Sequence, residues 1–309
     1  MILGCVLDFP RVEPVILRYE SFGYPVFISL EGFSPSGSIK FAPALSMIQD
    51  LERRYTQEVL KKRKILESSS GNIAVAMAQI CKLRGYRLSI IMDPLASKHV
   101  YDIMRLYGVE VIMVTEKDGN GGYLGSRIRK AKELSDGGEY LWTCQYENPA
   151  NPEGHYVYTA PRLFRDMPDP EYLFIGAGTC GSLVGISRYF KERSPKTKVV
   201  AVDVDGSIAL GGPPKPRRIP GMGASRVPPH LDMGILDDKI WVSEAETIRM
   251  LRTLLDDTGL LFGGSTGTII AAIREYFKKN GLKPRSVLTV SPDFGDKYVG
   301  IYNEMGWVA

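Results

Sequence analysis

Short strand-like runs alternate with longer helical segments along the chain, and this alternation constrains the fold more than any other feature. The strand-like runs are rich in β-branched and aromatic residues, and the clearest cover residues 88–93, 109–114, 172–175, 199–204 and 286–291. Between them, apolar residues recur at helical spacing, as in the series Ile73, Met77, Ile80 and Leu83 before Gly85. Strands that alternate with helices predict mostly parallel sheets flanked by helices, which is an α/β fold.

The length and composition narrow the class of protein. A chain of 309 residues with 44% hydrophobic residues can bury the cores of two lobes. The sequence has no apolar run of about eighteen residues, the length that a membrane-spanning helix needs. The first residues lack the basic start and cleavage site of a secretory signal, so we expect a cytoplasmic protein.

The net charge and the spacing of the histidines and cysteines disfavour a nucleic-acid-binding protein and a metalloenzyme. The net charge of +4 is too mild for a nucleic-acid partner and suits a small anionic ligand better. The three histidines have no ligand spacing, so we predict no catalytic metal. The four cysteines form no Cys-x-x-Cys pair and are expected to be reduced.

Three glycine- or serine-rich loops lie where helices are predicted to begin. They cover residues 68–72, 176–181 and 263–267, and the helix after the last of them is predicted to run from Thr268 to Lys279. A helix N-terminus carries unpaired backbone amides and a partial positive charge, so each loop could hold a phosphate or a carboxylate. The glycine- and proline-rich segment 206–229 is predicted to be one long functional loop.

Lys40 stands in an apolar stretch after several small residues, Ser36-Gly37-Ser38-Ile39-Lys40. Burial lowers the pKa of an amine, which is what imine chemistry with a carbonyl requires. A lone lysine is more often an exposed surface residue, so the three loops are needed to support a chemical role for Lys40.

The loop at 176–181 also allows a different interpretation. Gly176, Gly178 and Gly181 follow a strand with the spacing of a dinucleotide-binding loop, and Asp203 lies about twenty residues further on. Taken alone, this pattern predicts a nucleotide-dependent dehydrogenase using NAD or NADP. It leaves Lys40 and the other two loops without a role.

Five motifs, in order, resemble those of the fold-type-II pyridoxal-phosphate enzymes of the cysteine synthase and cystathionine β-synthase family. They are SGSIK at 36–40, ESSSGN at 67–72, GAGTCGS at 176–182, IPGMGASRVP at 219–228 and GGSTG at 263–267. The resemblance implies a tryptophan-synthase-β-like fold with two lobes, the active site between them, and a homodimer. We expect residues 1–40 to cross into the larger lobe, residues 41–145 to form the smaller lobe, and residues 146–309 to form the larger one.

The same resemblance assigns roles to individual residues. It implies that Lys40 carries pyridoxal 5'-phosphate as a Schiff base. The phosphate would lie on Gly178, Thr179, Cys180, Gly181 and Ser182, with Asn72 at the phenolic oxygen and Ser265 at the pyridine nitrogen. The substrate carboxylate would be held by Ser69, Ser70, Gly71, Asn72 and Gln145.

The implied reaction is β-replacement on a β-substituted serine through an aminoacrylate intermediate. Stretches 121–124 with Arg127, 223–228 and 292–298 resemble members that use O-phosphoserine and an amino nucleophile such as glutamate to make 2,3-diaminopropionate, including for siderophores. Arg226 could bind the phosphate leaving group through its planar fork, although it could also be a solvated loop arginine.

The chain departs from the family pattern near Lys40, where Phe41-Ala42 replaces the usual Asp-Arg and Ser34 replaces an asparagine. The exact substrates therefore stay open at this point. A cysteine synthase that uses sulfide is an alternative within the family, and a catalytically silent binding module is one outside it.

Overall fold

The computed structural model describes residues 5–11, 13–119 and 122–307, so Gly121 lies outside the described residues. Within these ranges the strands are β1 (Ile16–Tyr19), β2 (Val26–Leu30), β3 (Lys64–Ser68), β4 (Leu88–Met92), β5 (Glu110–Met113), β6 (Tyr140–Trp142), β7 (Tyr172–Gly176), β8 (Lys198–Val204), β9 (Asp238–Val242) and β10 (Val287–Ser291). All five predicted strands form, within one or two residues of the predicted bounds.

The helices connect these strands as the alternating pattern predicts. They are α1 (Phe41–Arg54), α2 (Gln57–Lys62), α3 (Asn72–Arg84), α4 (Lys98–Leu106), α5 (Leu124–Asp136), α6 (Ala150–Gly154), α7 (Ala160–Asp166), α8 (Gly181–Arg193), α9 (Glu244–Thr258), α10 (Gly264–Asn280) and α11 (Val299–Glu304). Short 3₁₀ turns occur at Val6–Arg11, Glu31–Phe33, Met233–Ile235 and Asp296–Tyr298, and a π-helical turn, His155–Thr159, joins α6 to α7.

The larger sheet has the strand order β1-β2-β10-β7-β8-β9. Strand β1 pairs with β2 in the antiparallel direction, because the short turn between them leaves no room for the crossover that a parallel pair needs. The other pairs in this sheet are parallel. Strands β2, β10, β7 and β8 therefore end at the same edge of the sheet.

The smaller sheet has the order β5-β4-β3-β6, and its three pairs are parallel. Every residue of β4 is buried, as is typical of a parallel strand covered on both faces. The two sheets flanked by helices confirm the predicted α/β fold with mostly parallel sheets. The lobe boundaries at residues 40 and 145 stay predictions.

Two helices differ in detail from their predicted form. In α3, Ile73, Met77 and Ile80 are buried, whereas Leu83 is 53% exposed because the last turn before Gly85 extends beyond the core. Helix α10 begins at Gly264, four residues before the predicted start, so most of the predicted loop at 263–267 is its first turn.

The four cysteines, at positions 5, 81, 144 and 180, are all free. Among the helices in the described parts of the chain, none is both long and apolar enough to cross a bilayer. The segment between β8 and the 3₁₀ turn at Met233 contains neither helix nor strand, which agrees with the long loop predicted at 206–229.

A buried ion pair fixes the chain just before Lys40. Glu31 follows β2, and its carboxylate accepts two hydrogen bonds from Arg162 Nη2 of α7, at 3.0 and 2.8 Å. The two side chains are only 5% and 8% exposed, and Ser29 donates a further hydrogen bond to Glu31 at 2.9 Å. Because both charges are shielded from water, each depends on the other for compensation.

Replacing Arg162 with methionine is expected to lower the free energy of unfolding by about 3–5 kcal/mol, because Glu31 would be left buried without its counter-charge. Urea denaturation followed by far-UV circular dichroism measures the change. Arg18→Met is the matched control, since Arg18 pairs with Glu20 at the surface and its loss should cost less than about 1 kcal/mol. Similar losses in both variants would contradict the prediction.

Candidate active site

Lys40 lies at the start of α1, near the carboxyl edge of the larger sheet. The preceding residue is held there, because Ile39 N donates a hydrogen bond of 2.8 Å to Pro292 O at the end of β10. Lys40 is partly buried, and desolvation lowers the pKa of its amine although the nearby Cys180 and Asp293 act in the opposite direction. Within the described ranges, no carboxylate forms an ion pair with this amine. Burial therefore favours the neutral form of this amine, which is its nucleophilic form.

The turn between β7 and α8 contains the predicted phosphate-binding residues. Cys180 adopts a left-handed conformation with φ 62°, and α8 starts at the next residue. A Cβ on Gly181 would lie 2.1 Å from Asn151 Oδ1, and one on Gly178 would lie 3.2 Å from Gly221 O. The lack of side chains lets the backbone pack closely and leaves its amides at the N-terminus of a 13-residue helix, where an anion is favoured.

Ser265 lies in the first turn of α10 and is 4% exposed. Its hydroxyl has no hydrogen-bond partner among the residues that the structure describes. Just before it, Gly263 N donates to Asp293 O at 3.1 Å, which ties the start of α10 to the end of β10. Ser265 can therefore offer a free hydroxyl to a bound group.

The predicted carboxylate-binding residues belong to two segments that contact each other. Ser69 accepts a hydrogen bond from Gly71 N at 3.2 Å, so the loop before α3 is fixed by its own side chain. Gln145, from the segment after β6, donates through Nε2 to Ser68 O at 2.9 Å. The structure therefore brings Gln145 to the Ser69 loop, although the two lie far apart in the sequence.

Asp293 connects the two sheets at the site, and sequence reasoning gave it no role. Asn72 Nδ2, at the start of α3, donates to Asp293 Oδ2 at 2.7 Å. Lys297 donates to Asn72 Oδ1 at 2.7 Å and forms an ion pair with Asp293 at 3.1 Å. Tyr298 also donates to Asp293, at 2.6 Å. The amide of Asn72 is thus held in one orientation, and the only sequence signal was that 292–298 resembled the family.

A pair of charged residues, to which sequence reasoning also gave no role, contacts the Ser70 hydroxyl. This hydroxyl donates to Asp93 Oδ2 at 3.0 Å and accepts from Arg127 Nη1 at 3.1 Å. Arg127 Nε lies 3.1 Å from Asp93 Oδ2, and both side chains are largely buried. The three residues form a charge-compensated support that fixes the Ser70 hydroxyl.

Arg226, in the long loop, approaches the same region. Its Nη1 donates to Glu147 at 3.1 Å, and its guanidinium lies 5.3 Å from the ring centroid of Tyr146. Its Nε and Nη2 atoms are buried without a hydrogen-bond partner among the described residues. The Tyr146 hydroxyl donates to Ser68 O at 3.5 Å, so Arg226 lies beside the predicted carboxylate-binding segments and has two nitrogen donors without a partner among the described residues.

Asp203, which the dehydrogenase interpretation needs for a ribose, is engaged by its own loop. The carboxylate is fully buried and accepts hydrogen bonds from Val204 N at 2.9 Å and Leu210 N at 3.3 Å. A carboxylate used in this way stabilises the start of the loop and cannot reach a nucleotide. The dehydrogenase interpretation therefore has no support from its key residue.

Together these groups fit a phosphorylated aldehyde. The site offers an amine with a lowered pKa, a glycine turn at a helix N-terminus, a free hydroxyl at Ser265 and an oriented amide at Asn72. Asp293 connects three parts of the site. It interacts electrostatically with Lys40, accepts a hydrogen bond from Asn72 and accepts another from Gly263 N at the start of α10. An amine of this kind can bond covalently to an aldehyde while the helix N-terminus holds the phosphate.

Comparison with known proteins agrees with this chemistry. The model of a family described as pyridoxal-phosphate dependent enzyme matches residues 12–293. Two curated proteins, from Ralstonia nicotianae and Cupriavidus metallidurans, are each 36% identical to the chain over its whole length, which spans 90% and 92% of theirs. Both are named N-(2-amino-2-carboxyethyl)-L-glutamate synthase.

Solved structures are similar as well. A hydrogen sulfide-producing enzyme from Fusobacterium nucleatum is 31% identical to the chain and superposes with a TM-score of 0.86. The match covers 96% of this chain and 100% of that enzyme.

Replacing Gly181 with alanine is expected to weaken the binding of pyridoxal 5'-phosphate by about tenfold or more. The new Cβ would collide with Asn151, whose amide is fixed by donating to Gln145 O at 2.7 Å, so the turn would have to move. Titration of the apoprotein with the cofactor, followed by absorbance, measures the affinity. Gly300→Ala, where a Cβ meets no atom within 4 Å, should bind normally. Unchanged affinity in Gly181→Ala would contradict this role.

Proposed function

Because this chain belongs to the family of pyridoxal-phosphate-dependent enzymes, we propose that it joins O-phospho-L-serine to an amino nucleophile such as L-glutamate. The chain is an enzyme of PLP-dependent β-replacement. The choice of phosphoserine and an amino acid is the part that we propose. Its support is the name shared by the two curated relatives together with the spare donors of Arg226. The product would serve the synthesis of 2,3-diaminopropionate for a siderophore or another secondary metabolite.

We assign the cofactor contacts to residues at the carboxyl edge of the larger sheet and at the start of α3. Lys40 would bond to the aldehyde carbon, and the turn at 178–182 would bind the phosphate. Ser265 would face the pyridine nitrogen, and Asn72 would donate to the phenolic oxygen. When bound, the pyridoxal ring withdraws electrons and makes the Cα proton of an amino acid acidic. A neutral Ser265 hydroxyl at the ring nitrogen would not enforce protonation there, which would favour elimination of a β-substituent.

Lys40 would also carry the proton. A free Lys40 amine would be able to accept the Cα proton of the substrate, because desolvation lowers its pKa and favours the neutral form. Asp293, which interacts electrostatically with Lys40, would stabilise the ammonium that this step creates. The substrate carboxylate would meanwhile be bound by the side chains of Ser69 and Gln145 and by the backbone N–H groups of Ser70 and Asn72 at the start of α3, which would fix the orientation of the Cα–H bond.

Arg226 would bind the phosphate that leaves. Its Nε and Nη2 atoms are buried and unpartnered among the described residues, and a dianionic phosphate can accept from both at once. Glu147 holds the third nitrogen, Nη1, and so fixes the direction of the fork. Acetate, a smaller leaving group with one negative charge, would gain less from this arrangement.

A cysteine synthase that uses sulfide is the second candidate, favoured by the likeness to the hydrogen sulfide-producing enzyme of Fusobacterium nucleatum. Incubation of the holoenzyme with O-phosphoserine and either glutamate or sulfide, followed by mass spectrometry, separates the candidates. We expect the glutamate adduct. Cysteine as the favoured product would replace our proposal with the second candidate.

Lys40→Ala is expected to abolish the visible absorbance band of the lysine-linked cofactor and to reduce turnover by at least about a thousandfold, because both the covalent link and the base are lost. Absorbance spectroscopy before and after borohydride reduction provides the measurement. Wild-type protein should fix the cofactor irreversibly on reduction and the variant should not. Lys297→Ala is the control, since it removes a nearby amine but leaves Lys40 in place. A variant at position 40 that still fixes the cofactor would exclude Lys40.

Arg226→Ala is expected to lower kcat/KM for O-phosphoserine by about 10- to 100-fold, the effect of losing charged hydrogen bonds of about 1.5–3 kcal/mol. With O-acetylserine the loss should stay below about threefold. Arg218→Ala, an exposed arginine of the same loop, should leave both substrates unaffected. Equal losses with the two substrates would contradict the role of Arg226 in binding the leaving group.

A further inference from the structure

Glu67 is a fully buried carboxylate directly behind the carboxylate-binding residues. It lies in β3, one residue before the end of the strand, and its exposed fraction is 0%. The chain continues from it into the Ser69 loop on one side. On the other side, its side chain faces the segment after β6 that carries Thr143 and Gln145.

The carboxylate of Glu67 joins these two segments. Its Oε1 accepts from Ser68 N at 2.7 Å, and its Oε2 accepts from Gln145 N at 3.0 Å. Gln145 in turn donates to Ser68 O at 2.9 Å. Glu67 therefore sets the position of Gln145 relative to the Ser69 loop.

The hydrogen bonds of Thr143 indicate where a proton belongs. The Thr143 hydroxyl lies 2.6 Å from Glu67 Oε2 and 3.0 Å from Leu66 O, and both of these atoms are acceptors when Glu67 is charged. One hydroxyl proton cannot fill both contacts. If Glu67 carries a proton on Oε2, it donates to Thr143, and Thr143 donates to Leu66 O. Every contact is then satisfied.

The titratable groups around Glu67 are compatible with a protonated carboxyl at this position. Burial raises the pKa of Glu67 to about 7, although Thr143, the two backbone amides and the more distant Arg127 act in the opposite direction. Arg127, from α5, is itself paired with Asp93. The other titratable groups that face Glu67 are Cys144 and Tyr146, whose pKa values burial raises, so both stay uncharged near neutral pH. Met77 of α3 and Ile90 of β4 add no charge.

A substrate carboxylate would be a second negative charge at this place. It would approach Ser69, Ser70 and Gln145 from the open side, while Glu67 lies behind the same residues. Two like charges at short distance in a low-dielectric site disfavour each other, and a proton on Glu67 removes the repulsion.

We propose that Glu67 is a positioning residue that takes up a proton from solvent when the loop binds an amino-acid substrate, and releases it when the product leaves. The inference rests on the proposed function in one respect, namely that the Ser69 loop binds the substrate carboxylate. Glu67 does not touch the reacting atoms, and no bond other than O–H forms or breaks at it.

The test is proton uptake on ligand binding. L-alanine is the probe, because it has the amine and the carboxylate of the substrate but no leaving group. Calorimetry of the holoenzyme in buffers of different ionisation enthalpy gives the number of protons taken up per site. Because burial raises the pKa of Glu67 in the free enzyme to about 7, we expect its carboxyl to be mostly protonated at pH 6 and mostly charged at pH 8. On binding L-alanine at pH 8, wild type should take up nearly one proton per site more than Glu67→Gln. At pH 6 the two proteins should take up nearly the same number of protons.

Two further measurements keep the outcomes distinct. Glu139→Gln, an exposed glutamate of the same sheet region, should take up protons like wild type. If Glu67→Gln does not fold, infrared spectra of wild type labelled with ¹³C-glutamate decide, because a protonated carboxyl band should be present at pH 6 and lost by pH 9.

Binding of L-alanine with equal uptake in wild type and Glu67→Gln, or an infrared spectrum without that band, would overturn the inference and leave the proposed function intact. If wild type gives no binding heat and no spectral response with L-alanine at any pH, the Ser69 loop does not bind amino acids. That result would remove the proposed function as well.

Discussion

The shared direction of β2, β10, β7 and β8 is the constraint on which the site depends. Segments that follow parallel strands leave from one edge of the sheet, and here they carry Lys40, Asp293 and the turn at 178–182. The helices that return the chain between parallel strands begin at the same edge, so helix N-termini and an amine meet there. The topology of the sheet therefore brings these chemical groups to one place, whatever their individual side chains are.

The sequence predicted what is local and missed what is distant. Glycine and serine runs after strands identified the starts of α3 and α8, because caps and tight turns leave a composition signal. The start of α10 was placed four residues late, since Gly264 and Gly267 are poor helix formers that close packing requires: a Cβ on Gly267 would lie 2.5 Å from Leu251. No composition signal reports the Asn72–Asp293 hydrogen bond, whose partners are 221 residues apart.

Three ionisable side chains that are buried or partly buried illustrate three ways to accommodate such a group away from water. Glu31 is compensated by the guanidinium of Arg162. Lys40 lacks such a partner among the described residues, and desolvation lowers its pKa toward the neutral amine. Glu67 has hydrogen bonds to Ser68 N, Gln145 N and the Thr143 hydroxyl, and burial raises its pKa to about 7. The first arrangement stabilises the fold, whereas the other two groups lie at the candidate site, where shifted pKa values are expected.

The long loop at 206–229 touches two parts of the site at once. Gly223 N donates to Ala177 O at 2.7 Å, beside the turn after β7, while Arg226 reaches Glu147 only three residues further on. One short peptide of this loop therefore connects the proposed phosphate-binding turn to the arginine that we propose for the leaving group. Because the two contacts are only three residues apart, a loop of another length would shift both Arg226 and the turn after β7, whereas an exchange of side chains would keep the backbone contact with Ala177.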